Sequence, residues 1–101
     1  MIKIEYERNR DLHKLTIKGH ANYAGAGQDI VCASVTALSL TLAEFINNSH
    51  SGNILDFSAE KGRYNLFAEG EGEIDAAFKF ALLGFSSIAE KYPENVTLNL
   101  K

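Results

Sequence analysis

A chain of 101 residues, 46% of them hydrophobic, has the length and apolar content for one core and no second domain, so residues 1–101 read as a single domain. One proline, eight glycines and no low-complexity tract argue against disorder, and a net charge of -3 lacks the basic footprint of a nucleic-acid binder. The single cysteine, Cys32, excludes an internal disulfide and suits a reducing compartment.

The chain starts on "IKIEYE", in which Ile2, Ile4 and Tyr6 alternate with charged residues as in a half-buried strand. No basic and apolar leader precedes it, so the expected location is the cytoplasm. After the turn-like "RNRD", Leu15 and Ile17 alternate with Lys14, Thr16 and Lys18, which predicts a β-hairpin. From about Asp29 the period changes. Val31, Val35, Leu38, Leu42 and Phe45 recur at spacings of four and three, drawing one apolar stripe down a helix that "NNSHSGN" stops. Its uncharged part, Ile30 to Ala43, is too short to span a bilayer, and no membrane partner is expected.

"ILDFSA" and "RYNLFAE" flank Glu60, Lys61 and Gly62 as a second hairpin. Ile74, Phe78, Ala81, Phe85, Ile88 and Tyr92 then mark a second helix, with Glu73 and Asp75 suited to its positive end and Pro93 ending it. Val96, Leu98 and Leu100 form a last strand. The order ββαββαβ, with one apolar stripe per helix, predicts a two-layer α+β fold: one sheet with both helices on one face.

Chemistry concentrates in "GHANYAGAGQDIVCA". Asp29 is a favoured helix cap. If it caps the first helix, Cys32 is the third helical residue, where free amides and the helix dipole favour a thiolate. His20 ends the second strand, and the loop "ANYAGAGQ" is long enough to return the chain beside it. The small side chains of that loop, with Gly25 and Gly27, suit a mobile lid or simple turns. Parity places His20 on the face of Lys14, Thr16 and Lys18, away from the core, unless Gly19 breaks the register. On spacing alone, packing remains the commoner role of a lone helical cysteine, and solvent exposure that of a strand-end histidine.

The stretch "GHANYAGAGQDIVCASVTAL" resembles the signature of the ribosomal-processing cysteine proteases, the bacterial Prp family. Its elements are Gly-His-Ala, a glycine-containing loop, Asp-Ile-Val-Cys-Ala and a hydroxyl residue four after the cysteine. The terminal "IAEKYPENVTLNLK" resembles the family's last helix and strand, so the resemblance covers the whole chain.

The resemblance implies a Cys32 nucleophile, a His20 general base, and removal of a short N-terminal extension from large-subunit ribosomal protein twenty-seven, cut after an aromatic or apolar residue. It implies no cofactor, and a homodimer whose surface nothing in the sequence selects. Asp29 would orient His20 or cap the helix, and Thr36, four after Cys32, would share its helix face. Oxyanion stabilisation is expected from amides at the helix start, that of Cys32 included. Tyr23 would help to line a substrate pocket.

Three rivals stand beside this reading. A phosphate-binding module lacks Gly-Lys-Ser/Thr and would meet the charge of Asp29. A zinc site would draw on Cys32, His13, His20 and His50, which have no recognised ligand spacing. A non-enzymatic, ribosome-associated interaction protein would only pack Cys32.

Overall fold

The computed structural model describes residues 1–19 and 28–101, with 28 and 29 as backbone only. Seven elements follow in chain order: β1 (Ile2–Asn9), β2 (Leu12–Lys18), α1 (Gln28–Asn48), β3 (Gly52–Glu60), β4 (Arg63–Gly70), α2 (Glu73–Lys91) and β5 (Val96–Leu100). This is the expected ββαββαβ order of an α+β fold. The strands form one sheet in the order β3-β4-β2-β1-β5. Only β1 and β5 pair in parallel; the other neighbours are antiparallel, so the sheet is mixed.

Register follows the period-two pattern. Ile4 faces Ile17, Ile17 faces Tyr64 and Leu15 faces Leu66, which puts a continuous apolar row on the inner side. Their neighbours Lys3, Lys18 and Arg63 fall opposite one another on the outer, solvated side. The helices cover the inner face and pack on each other. Here Gly84 matters: a β-carbon would lie 2.7 Å from Leu38 Cδ1, so its absence lets α2 approach α1. Phe78 and Phe85 anchor α2 in full burial, and truncation of either to alanine is expected to cost about 3–5 kcal/mol.

Three expectations are corrected. Phe45 was placed on the buried stripe of α1, but it is 44% exposed and Ile46 is buried instead. Both lie near the stripe, but Ile46 takes the flank towards the sheet, while Phe45 lines a groove with Leu38 and Phe80 between the helices. Tyr92 does not extend α2: the helix ends at Lys91, and the Tyr92 amide donates to the carbonyl of Ile88 as a cap. The first helix also outruns its uncharged stretch, so that Ile30–Asn48 is long and apolar enough to cross a membrane by length and composition. Its side chains Val31, Val35, Leu42, Ala43 and Ile46 are nevertheless buried, as in a core helix.

One buried polar group ties α2 to the sheet. His13 is fully buried, stacked on Phe78 with ring centroids 4.4 Å apart. Its Nε2 lies 3.0 Å from the carbonyl oxygen of Gly70 and 3.2 Å from Asp75 Oδ1; both are acceptors, so this nitrogen carries the hydrogen. Its Nδ1 lies 2.6 Å from the Tyr6 hydroxyl oxygen, so both ring nitrogens are engaged. Asp75 also takes Arg8 at 3.0 Å and accepts from the Gly72 amide at 3.2 Å, closing the first turn of α2.

Candidate active site

Gly19 ends the second strand with φ +99, a conformation that glycine alone adopts readily. A β-carbon here would also collide with the carbonyl oxygen of Met1. The chain therefore leaves the extended state one residue before His20, and the strand parity that pointed His20 away from the core stops applying at Gly19. The Gly19 amide donates to the carbonyl of Gly62 at 2.9 Å, so the tip of the β3–β4 hairpin holds this strand end.

Cys32 approaches from the opposite wall. It is half-buried on α1 and lines a cleft of about 550 Å³ whose other walls include Gly19 and Thr36. The floor is apolar, built from Ile2, Ile17, Val35 and Tyr64, and the rim carries Glu60, Lys61 and Arg63 of the hairpin. Such a cleft has room for a side chain and adjoining backbone. Thr36 and Ser39, four and seven residues after Cys32, continue the same face of α1 into the cleft.

The helix start differs from expectation. It begins at Gln28, which makes Asp29 its second residue rather than its cap and Cys32 its fifth rather than its third. In such a helix the amides without an internal acceptor extend only to Ile30, while that of Cys32 falls within the i to i−4 ladder. Oxyanion stabilisation from the Cys32 amide is thus disfavoured, and any dipole effect on the thiol acts from the second turn.

His20, Tyr23, Gly25 and Gly27, together with the expected lid, lie outside the described residues, as does the side chain of Asp29. Of the residues singled out from sequence, Cys32, Thr36 and Gly19 meet in one cleft. Sequence reasoning missed the hairpin tip. Tyr64 showed inward parity in its strand, but nothing local tells that it reaches α1, where its hydroxyl donates to the Ser39 carbonyl at 2.7 Å. Burial raises the Tyr64 phenol well above its ordinary value, so it remains a protonated donor. Among the described residues no group of three His, Cys, Asp or Glu side chains is placed to hold a metal. Both ring nitrogens of His13 face partners remote from the cleft.

Comparison with known proteins agrees with this geometry. Residues 1–97 match the family cysteine protease Prp. An essential ribosomal processing protease Prp from S. aureus, crystallised with a covalently linked product peptide, is 25% identical, with each chain covered in full and a TM-score of 0.86. The same S. aureus protease with a substrate peptide gives a TM-score of 0.80 at 24% identity over all of both chains. SMU.848 from Streptococcus mutans is 26% identical, with 99% of this chain and 93% of that one covered and a TM-score of 0.76. A search of curated proteins found no match. With a cysteine in an open cleft, a fold shared throughout and a family match over nearly every residue, this chain belongs to the Prp family of cysteine proteases.

Proposed function

We propose that this cysteine protease is an endopeptidase that removes the N-terminal extension of a large-subunit ribosomal protein, protein twenty-seven, with Cys32 as nucleophile and His20 as general base. The observation that carries the reading is the meeting of Cys32 and Gly19 across one cleft, since Gly19 delivers the backbone directly to His20. The S. aureus relative, a ribosomal processing protease crystallised with substrate and product peptides, supports the choice of substrate.

In this reading His20 takes the thiol proton and the thiolate attacks the scissile carbonyl carbon. The C–N bond breaks, the leaving amine receives the proton from His20, and water hydrolyses the thioester to free the new carboxylate. The apolar floor of Ile2, Ile17 and Val35 accepts the side chain before the cut. Asp29 orients His20 or supports the helix start, and Thr36 borders the thiol. The enzyme works in the cytoplasm as a homodimer.

The test is incubation of the extended ribosomal protein with wild type and with Cys32→Ala, followed by mass spectrometry of the products. Wild type is expected to release the extension and the variant to leave it intact while remaining folded. Unchanged cleavage by Cys32→Ala would overturn the proposal in favour of a protein that only packs its cysteine.

A further inference from the structure

Apolar packing places α1 on the sheet but is non-directional, so it does not by itself set where along the helix Cys32 stands. Among the described residues, a directional contact adds that constraint. Tyr64, almost wholly buried, donates its hydroxyl to the Ser39 carbonyl at 2.7 Å. Ser39 lies two turns after Cys32 on the same face of α1, and its own hydroxyl is held back on the Thr36 carbonyl at 3.1 Å. The Tyr64 ring is in turn fixed edge-on by Phe57 of β3, at 5.5 Å and 82°.

Two residues before Tyr64, the Gly62 carbonyl accepts the amide of Gly19. The short run Gly62 to Tyr64 therefore grips both walls of the cleft: the strand end that leads to His20 and the helix that carries Cys32. We infer that Tyr64, in the floor of the cleft, is a positioning residue for the protease, setting the placement of the Cys32 helix against the Gly19 strand end while taking no part in bond making or proton transfer. The inference rests on the proposed Cys32 and His20 reaction and adds a device that neither supplies.

A conserved shape with the hydroxyl removed isolates the effect. Tyr64→Phe keeps the ring between Phe57 and the core and deletes only the bond to Ser39. Displacing one reacting group by a fraction of an ångström lowers turnover while leaving substrate binding, so kcat is expected to fall roughly ten- to a hundredfold with KM changed less than about twofold. Leu66→Val, fully buried on the same strand, serves as a control that loosens packing without touching this bond. Its kcat is expected to match wild type.

The experiment measures steady-state cleavage of the extension peptide by wild type, Cys32→Ala, Tyr64→Phe and Leu66→Val, under conditions where circular dichroism shows each to be folded. A wild-type kcat for Tyr64→Phe, or an equal fall in Leu66→Val, overturns the positioning role while the protease reading stands. Retained cleavage by Cys32→Ala removes that reading, and the inference with it. Should Tyr64→Phe fail to fold, Phe57→Leu, which frees the Tyr64 ring but leaves its hydroxyl, is expected to lower kcat in the same assay. An unchanged kcat there overturns the inference equally.

Discussion

The amide of Gly19 and the carbonyl of Gly62 are joined by a 2.9 Å hydrogen bond that closes one end of the Cys32 cleft. The bond extends the β2–β4 ladder by one rung beyond Lys18 and Arg63, and at the same residue φ +99 turns the chain out of β2 beside the carbonyl of Met1. Gly19→Ala places a side chain in a left-handed conformation and against backbone that cannot yield. A loss of about 1–3 kcal/mol in urea-unfolding stability is expected, with a steeper loss of peptide cleavage. Wild-type stability for this variant would show that the turn tolerates a side chain.

The two candidate reacting groups are expected to act as a unit. His20→Ala should lower cleavage by a factor of about 100 or more if it is the base. Once Cys32 is alanine, adding His20→Ala should change the residual rate little, because both proton transfers by His20 belong to a reaction that starts at the Cys32 thiol. Multiplicative losses in the double variant would assign His20 to a separate task.

Alkaline pH offers a test on a different group. Burial raises the Tyr64 phenol above its ordinary value of 10.0, and Tyr6 is raised for the same leading reason. A raised folded value means the native state keeps protons that the unfolded chain releases. Stability is therefore unaffected below pH 10 and declines above it, by up to about 1.4 kcal/mol per pH unit for Tyr64. Tyr64→Phe should flatten that decline in denaturant titrations, and tyrosinate absorbance should rise together with unfolding. Early, reversible ionisation of Tyr64 in the folded protein would contradict its burial.

Asp75 joins three partners: Arg8 at 3.0 Å, His13 at 3.2 Å and the Gly72 amide at 3.2 Å. Asp75→Ala removes a first-turn cap and the anion beside a buried ring, and should cost about 1–3 kcal/mol in urea unfolding. Because the network lies on the α2 side and away from the cleft, kcat should persist under folding conditions. A selective loss of kcat would connect the two regions.

Alternation in Ile2, Ile4, Leu15 and Ile17, and the four-three spacing from Ile74 to Phe85, specified strands, helices and their buried faces by themselves. Both patterns are local: a side chain's direction follows from backbone geometry within a few residues. "GHANYAGAGQDIVCA" likewise carried the candidate chemistry in one contiguous stretch, together with the family resemblance that residues 1–97 confirm. Yet whether Phe45 or Ile46 faced the core depended on how α1 settled between the sheet and α2, and no local pattern separates such neighbours. The start of α1 at Gln28, which moved Asp29 off the cap and Cys32 into the ladder, was equally beyond propensity, since several residue types there fit either position. The reach of Tyr64 to Ser39 and the grip of Gly62 on Gly19 belong to tertiary structure alone. They join segments far apart in the chain, and only the antiparallel register of β2 with β4 and the packing of α1 on the sheet bring them within hydrogen-bond distance.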